Sequence, residues 1–471
     1  MKKILKILAY ILLVILILAL VAAGWYLYKA VPVGTGYVAK YMCTAAFVAY
    51  RNPDAVFEEI KPINPLAYII SWEVNREDGI VTASALGKHD TALYRPDCGC
   101  TLARSATVKK LRQQSFFEHV KAQKLMERST EPWPQGNGPV EAPALYGIDP
   151  QRLTKVIDAA FSEPYEDKER NTMAALVVYD GHLIAERYAP ELSPDQPLLG
   201  WSMSKSVTNA LVGVQVGKGW LSLDDRAPVP EWESGDPRHD ITLDQLLRMS
   251  SGLDFQEVYQ PLYDATNMLY KSADFAAYAA GKSPAYPPDS MFSYSSGTAN
   301  IIARMVRHRA EEHYDHYYRF LYEDFFHRIG MTSVIFEPDP SGTFVGSSYC
   351  SATPRDWARF GQLYLQDGVW EGERILPEGW VRYSTTPTPT ASRGQYGVLW
   401  WLNAGSPDNA EQRRWPDVPQ DAFAAEGYLG QFVIVLPSKK LVLVRFGATV
   451  DFSAWSNNEF VKNIVEILPE G

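Results

Sequence analysis

The chain has 471 residues, of which 46% are hydrophobic, and its formal net charge is -10. This composition is sufficient for large buried cores. The negative balance argues against nucleic acids and anionic lipid surfaces as partners.

The amino terminus carries a long apolar run. Residues 4–20 are almost entirely apolar and the apolar character continues beyond them, which is long enough for one membrane-spanning helix. Lys2, Lys3 and Lys6 stand on the short upstream side, so the positive-inside rule predicts an inner-membrane, single-pass protein whose remaining chain is periplasmic. A cleaved signal peptide ending near residues 21–23, which would release the protein into the periplasm, is the alternative. We place this anchor or signal at 1–30.

Residues 31–140 form an exported segment in which no motif indicates a role. The sequence predicts a strand pair over 80–93 and a helix over 108–126. Residues 129–139 are rich in glycine and proline and predict a linker.

Four cysteines follow the apolar run: Cys43, Cys98, Cys100 and Cys350. An oxidising compartment favours disulfides, and four cysteines allow three pairings. Cys98 and Cys100 are too close in sequence to pair easily, so we expect at least one bridge to reach Cys43. Free thiols are the alternative, and no second cysteine pair is present to complete a zinc site.

The pattern after residue 140 predicts a mixed domain, which we place at 141–471. Two pairs of apolar runs have the spacing of antiparallel hairpins: 174–179 with 183–188 around Asp180-Gly181, and 432–436 with 441–446. The chain between them is mostly helical, including 356–366, and it lacks the regular alternation of a parallel sheet.

Ser202-Met203-Ser204-Lys205 begins an apolar helical stretch. Because positions three apart share a helix face, the Lys205 ammonium can approach the Ser202 hydroxyl. A serine hydroxyl needs an adjacent base, and lysine can be that base when burial lowers its pKa. A helix-capping serine followed by an exposed lysine is the alternative.

Two further elements follow in order. Phe292-Ser293-Tyr294-Ser295-Ser296-Gly297 precedes an apolar run, and Ala425-Glu426-Gly427-Tyr428-Leu429-Gly430-Gln431 precedes a strand pair. The three elements together resemble serine β-lactamases and penicillin-binding proteins. The resemblance runs from about Tyr146 to the end of the chain. It implies a β-lactamase-like α+β fold, in which an antiparallel sheet is flanked by helices and an all-helical subdomain lies alongside, with the site between them.

The third element differs from that of β-lactamases and D,D-peptidases, which place a lysine or histidine there for a substrate carboxylate. Ala425 and Glu426 stand at these positions. The element is similar to that of 6-aminohexanoate-dimer hydrolases and related esterases. This resemblance implies small amides or esters as substrates, unless a cation such as Arg393 or Arg413 reaches in from a loop.

The resemblance also implies roles for individual residues. Ser202 would attack a carbonyl, Lys205 and Tyr294 would share the proton transfers, and the backbone amides of Ser202 and Tyr428 would form the oxyanion hole. The candidate substrate-binding residues are Ser296, Gly427, Tyr259 and Trp400, although Tyr259 and Trp400 are bulky enough to be core residues instead. We expect no cofactor and no metal, and the expected partners are a small-molecule substrate and the membrane.

Other functions stay open at this point. None of the eight histidines falls within the three elements, although His239 or His308 could approach from elsewhere in a Ser-His-Asp hydrolase. A β-lactamase or D,D-peptidase is one alternative. A catalytically silent, membrane-anchored binding protein is another.

Overall fold

A computed structural model describes residues 2–116, 120, 130–406 and 408–469. Its first element is one helix, α1 (Lys2–Cys43), which continues into a π-helical turn at Thr44–Val48. Side chains 2–26 of α1 are exposed, whereas most of those after residue 29 are buried. The exposed part is long and apolar enough to cross a membrane, so α1 begins as a candidate membrane span or signal sequence.

A small sheet packs against the second half of α1, after helix α2 (Pro53–Ile60). Its four antiparallel strands are β1 (Ser71–Asn75), β2 (Ile80–Ala85), β3 (Lys88–Arg95) and β4 (Gly99–Leu102), adjacent in that order. The strand pair predicted over 80–93 is thereby confirmed.

The helix predicted over 108–126 is wrong in length, because α3 spans only Val108–Arg112. The chain leaves the helix and buries Phe116, whose ring centroid lies 4.8 Å from that of Tyr318. This distant aromatic contact overrides the local helical pattern. Residues 117–119 and 121–126 of the prediction lie outside the described residues.

A disulfide joins Cys43, at the end of α1, to Cys100 in β4. It confirms the predicted bridge to Cys43. Cys98 and Cys350 are free thiols, and both are buried.

A buried ion pair fastens α1 to the C-terminal part of the chain. Lys40 Nζ lies 2.5 Å from Glu337 Oε2, and the backbone N–H of Cys100 donates to Glu337 Oε1 at 2.6 Å. Lys40 and Glu337 are both almost completely enclosed. The C-terminal half of α1 is therefore held by one disulfide bond and one buried ion pair.

The predicted linker lies against the domain that follows, apart from residue 129, which is outside the described residues. Trp133 is buried and donates from Nε1 to the Arg355 carbonyl at 3.3 Å. The Arg359 guanidinium donates to the carbonyls of Pro134 and Gly136 at 2.9 and 2.6 Å.

The C-terminal part combines many short strands with helices. The strands are β5 (Thr172–Tyr179), β6 (His182–Tyr188), β7 (Leu198–Leu199), β8 (Ile335–Phe336), β9 (Cys350–Ala352), β10 (Val369–Trp370), β11 (Glu373–Arg374), β12 (Trp401–Leu402), β13 (Phe423–Gly427), β14 (Gln431–Leu436) and β15 (Leu441–Gly447). The helices are α4 (Pro150–Phe161), α5 (Met203–Gly217), α6 (Leu243–Leu247), α7 (Asp264–Lys271), α8 (Phe275–Ala280), α9 (Ser296–Glu311), α10 (Tyr317–Leu321), α11 (Pro354–Leu365), α12 (Trp380–Ser384) and α13 (Asn457–Val465).

The central sheet is antiparallel, with strand order β12-β13-β14-β15-β5-β6. Both predicted hairpins, β5–β6 and β14–β15, are confirmed, and α11 matches the predicted helix at 356–366. Side chains alternate along each strand, so Val442 and Val444 face the core beneath α11 while Leu441 and Leu443 face α4 and α13. The sheet thus has helices on both faces.

Helix α5 is buried along most of its length between β13 and α9. Around α9 pack α6, α7, α8 and α10. The result is the predicted α+β architecture, with a helical part alongside the sheet. The start of α5 lies where these two parts meet.

Candidate active site

Ser202 lies where a short strand turns into a buried helix. It follows β7 and occupies the N-cap position of α5. The preceding Trp201 has a left-handed backbone with φ of 48°. Residues other than glycine rarely adopt this conformation, so the turn stores strain of the kind found at functional sites. The Ser202 hydroxyl makes no helix-capping hydrogen bond. It is instead half-exposed in the wall of a pocket.

Lys205 is enclosed one helical turn later. Its Nζ lies 3.1 Å from Ser202 Oγ, 3.0 Å from Ser296 Oγ and 3.0 Å from the Ser347 carbonyl oxygen, and the residue is 1% exposed. Burial lowers the pKa of Lys205 to about 8, while the negative charge of Glu257 raises it. A neutral amine here has two hydrogens for Ser296 and Ser347 and a lone pair for the Ser202 hydroxyl. The alternative of a capping serine with an exposed lysine is therefore wrong.

Ser296 connects Lys205 to a carboxylate that the sequence did not reveal. Ser296 begins α9, and its hydroxyl donates to Glu257 Oε1 at 2.5 Å while its backbone N–H donates to Glu257 Oε2 at 2.7 Å. Tyr259 donates to the same carboxylate at 2.7 Å. Glu257 sits in a loop 39 residues before Ser296, and no local spacing signals that they meet.

Tyr294 stands next to Ser202 and Lys205. Lys205 Nζ lies 4.7 Å from the centroid of the Tyr294 ring, which stacks on Trp401 at 5.2 Å. Burial and the charge of Glu257 raise the pKa of Tyr294 well above its ordinary value, and the interaction with Ser202 lowers it. The same environment therefore disfavours the phenolate of Tyr294 and the charged form of Lys205.

The third element reaches the Ser202 turn through two glycines, Gly427 and Gly200. Gly427 ends β13 so close to Gly200 that a Cβ on Gly427 would lie 2.1 Å from the Gly200 carbonyl oxygen. The following Tyr428 lines the pocket beside Trp201, with ring centroids 5.8 Å apart. Only glycine fits at 427, which brings the 427–428 backbone to the Ser202 turn.

Two buried polar side chains hold this turn from below. Gln431 donates to the Tyr428 carbonyl at 3.1 Å and accepts from the Gly447 N–H at 2.9 Å. Arg445 is fully buried and donates to the Gly430 carbonyl at 2.9 Å. The glutamine and second glycine of the element are thus explained by their contacts with β15.

A cation does lie at the third element, although the sequence predicted none there. The Arg414 guanidinium is 4.3 Å from the centroid of the Trp401 ring and forms an ion pair with Glu426. Arg393 and Arg413, which we considered as examples of a loop cation, are not the residues in this position. Ala425 is buried and supplies no polar group.

Trp400 was expected to line a cleft, and this prediction is wrong. Its side chain is fully buried, with ring centroids 4.5 Å from Tyr364 and 5.7 Å from Phe360. Its neighbour Trp401, the first residue of β12, stacks on the Tyr294 ring instead. Tyr259 does line the pocket.

Neither histidine considered for a Ser-His-Asp site reaches Ser202. His239 Nδ1 contacts the Trp232 carbonyl at 2.8 Å. His308 lies in the last turn of α9, twelve residues after Ser296, which is about 18 Å along a helix. His119 lies outside the described residues.

The pocket around Ser202 has a volume of about 590 Å³, a size typical of small-molecule sites. Trp201, Tyr259 and Tyr428 line this pocket. Residues of α1 and residues 62–66 also line it. No sequence pattern indicated that residues before 140 contribute to the site.

Comparisons with known proteins agree with this geometry. The Beta-lactamase family model matches residues 157–456. The 6-aminohexanoate-dimer hydrolase of Paenarthrobacter ureafaciens is 25% identical over 290 residues, which cover 54% of this chain and 72% of that protein.

Two solved structures share the fold. One, assigned as a 6-aminohexanoate-dimer hydrolase from Bacillus anthracis, has a TM-score of 0.54 at 23% identity, covering 76% of this chain and 89% of its own. The other, a family VIII carboxylesterase, has a TM-score of 0.52 at 14% identity, covering 68% of this chain and 97% of its own. The predicted fold class and family resemblance are both confirmed. Since the family model spans more than half of the sequence, this chain belongs to the beta-lactamase family of hydrolases.

Proposed function

We propose that this protein is a serine hydrolase that cleaves small amides or esters through an acyl-enzyme on Ser202. The observation that carries the proposal is the 3.1 Å contact between Ser202 Oγ and the buried Nζ of Lys205. A lysine with a pKa of about 8 has an appreciable unprotonated fraction near neutral pH, so it can act as the base that serine needs.

In the first step Lys205 takes the Ser202 proton while Oγ bonds to the substrate carbonyl carbon. The negative charge that develops on the carbonyl oxygen is met by the backbone N–H groups of Ser202 and Tyr428. Within the described residues, the Ser202 N–H has no hydrogen-bond acceptor. The C–O or C–N bond then breaks and the alcohol or amine leaves with a proton. Water attacks the acyl-enzyme and restores the serine.

Lys205 and Tyr294 divide the proton transfers in this scheme. Lys205 has the lower pKa and serves as base. Tyr294 keeps its proton because burial and Glu257 disfavour the phenolate, so it donates to the leaving group and is reprotonated by Lys205. Glu257 acts through Ser296 and is a positioning residue.

Neutral substrates are favoured over carboxylate-bearing ones. Glu426 neutralises Arg414, the cation that lies over Trp401, which leaves less positive charge for a substrate carboxylate. We therefore propose esters and amides without a carboxylate at this position, bound near Ser296, Gly427 and Tyr259. A β-lactamase or D,D-peptidase is the second candidate, since these related enzymes bind a carboxylate of their substrates.

We further propose that α1 is retained as an anchor in the inner membrane, with the hydrolase domain on the periplasmic side. The lysines before the span and the oxidised Cys43–Cys100 pair both fit this orientation. We propose residues 31–140 and 141–471 as the two exported units. Helix α1 continues across residue 30 without a break.

The test uses the full chain and a fluorophosphonate probe. We expect Ser202 to be labelled, and Ser202→Ala to lose both labelling and hydrolysis of p-nitrophenyl acetate. Ser290→Ala, an exposed serine outside the pocket, is the matched control and keeps both. Turnover that survives in Ser202→Ala would refute the nucleophile. A silent binding protein would show neither labelling nor turnover in the wild type.

Substrate class is tested in the same buffer with p-nitrophenyl acetate, a linear aminohexanoate dimer and nitrocefin. We expect p-nitrophenyl acetate to have a higher kcat/KM than nitrocefin, because differential binding of the nitrocefin carboxylate is missing. If nitrocefin is turned over fastest, the β-lactamase candidate replaces the esterase and amidase proposal.

A further inference from the structure

The candidate membrane helix is also part of the active-site pocket. Tyr26, Val33, Gly34 and Tyr37 of α1 line the pocket that contains Ser202. These residues lie on one side of α1 over eleven positions, which is about 16 Å along a helix. The pocket therefore extends along α1 from the nucleophile toward the apolar span.

A second segment closes this groove from the side. Gly34 lies against Leu66, because a Cβ on Gly34 would be 3.0 Å from Leu66 Cδ1. Ile63 and Pro65 of the same segment line the pocket, and the neighbouring Tyr68 and Ile69 are exposed apolar residues. The groove along α1 is thus mainly apolar, with apolar surface beside it.

The upper end of the groove coincides with the level at which α1 would leave the bilayer. Trp25, Tyr26 and Tyr28 are exposed, and aromatic residues of this kind concentrate at membrane interfaces. Lys29 and Lys88 have their Nζ atoms 5.8 and 5.0 Å from the Tyr28 ring centroid, and neither forms an ion pair with a described residue. Lysines with apolar stems and free charges are typical of this level.

Tyr26 belongs to both features, since it is an interface residue and a pocket-lining residue. A chain lying along α1 from Tyr26 toward Ser202 would pass from lipid to nucleophile without crossing bulk water. The cost of moving acyl methylenes through water is avoided on this path.

We propose that the substrate is an amphipathic ester or amide dissolved in the membrane, whose acyl chain enters between α1 and residues 62–66. This inference rests on the proposed serine hydrolase function and on retention of α1. Ser202 takes the acyl group, the alcohol or amine headgroup leaves with a proton, and water releases the fatty acid. The headgroup faces solvent on the side of Tyr259.

The experiment uses the full chain reconstituted in phosphatidylcholine vesicles, with p-nitrophenyl acetate and p-nitrophenyl decanoate as substrates. We expect kcat/KM to be higher for the decanoate. Tyr26→Asp and Ile63→Asp should each lower the decanoate-to-acetate ratio about ten-fold, because a carboxylate in the groove opposes an apolar chain. Leu145→Asp, at an exposed apolar residue that does not line the pocket, should leave the ratio at its wild-type value.

The outcomes separate this inference from the proposed function. A Ser202-dependent acetate hydrolysis with equal or lower decanoate turnover would overturn the membrane-substrate inference and leave the serine hydrolase standing. The inference would also be overturned if both groove variants kept the wild-type decanoate-to-acetate ratio while fluorophosphonate labelled them to the same extent as the wild type. Loss of Ser202 dependence for both esters would overturn the proposed function itself.

Discussion

Arg414 and Glu426 form an ion pair, and Glu426 directly precedes Gly427, the glycine that packs against Gly200 in the Ser202 turn. The charge at this point of the site is therefore balanced within the protein. The side chain of Glu426 is the more enclosed of the two, at 14% exposure against 30% for Arg414.

Glu426→Gln should shift the enzyme toward carboxylate-bearing substrates. It frees the Arg414 guanidinium, and a charge-assisted hydrogen bond at a partly exposed site is worth about 1 kcal/mol, or about five-fold in kcat/KM. The measurement is the ratio of kcat/KM for nitrocefin to that for p-nitrophenyl acetate. Adding Arg414→Gln should return the ratio to the wild-type value, and a gain that persists in the double variant would exclude Arg414 as its source.

The activity should rise with pH through the pKa of Lys205, which is about 8. Only the neutral amine accepts the Ser202 proton. As the pH rises, kcat/KM for p-nitrophenyl acetate should therefore increase up to this pKa and level off above it. An inflection about 6.5 would instead indicate a histidine base. The unfolded chain keeps the lysine proton up to about 10.5, so the Lys205 contribution to the free energy of unfolding rises with pH between these two values.

Glu257→Gln should move that inflection to lower pH. The carboxylate is the charge that raises the pKa of Lys205, and the amide keeps the shape of the loop while removing this effect. We also expect a lower kcat, since Ser296 loses a charged acceptor. The control is Glu311→Gln, at the far end of α9, where Glu311 pairs with Arg307. If the inflection stays in place, Glu257 has only a structural role.

Tyr294→Phe should affect amides more than p-nitrophenyl esters. The phenyl ring retains the stack on Trp401 but cannot protonate a leaving group. A p-nitrophenolate leaves without a proton, whereas an amine must be protonated before it leaves. We therefore expect kcat/KM to fall by about 10²-fold or more only for the amide. Equal losses for the two substrate types would place Tyr294 in the attack step instead.

Lys40→Met should destabilise the fold because it leaves Glu337 charged and enclosed. Breaking one half of a buried ion pair typically costs about 3 kcal/mol or more, and the free energy of unfolding in urea measures the loss. Lys40→Met with Glu337→Gln should recover part of it. Lys61→Met, which breaks an exposed pair with Glu58, should change the value by less than about 1 kcal/mol.

Local patterns in the sequence were sufficient to predict some features. Period-two runs around Asp180-Gly181 identify a hairpin, and the three-residue spacing of Ser202 and Lys205 places both on one helix face. Turn chemistry and helix geometry depend on near neighbours alone, so these predictions did not need the fold.

Other features depend on contacts between distant parts of the chain. Glu257 meets Ser296 through a loop that has no periodic pattern. Trp400 is buried in the core, whereas the adjacent Trp401 stacks on Tyr294. The predicted length of α3 is wrong for the same reason, because Phe116 packs against the distant Tyr318. Such choices are decided by tertiary packing and leave no trace in local spacing.

The unbroken run of α1 from its exposed apolar part to Cys43 has a mechanical consequence. A flexible tether lets a domain sweep a volume and meet substrates at many heights. In the proposed anchored form, α1 is a rigid rod joined to β4 by the Cys43–Cys100 bond and to Glu337 by Lys40, and it would hold Ser202 at one distance from the bilayer and at one tilt. The enzyme would then sample its surroundings by lateral diffusion in two dimensions, reacting only with molecules that arrive at that height.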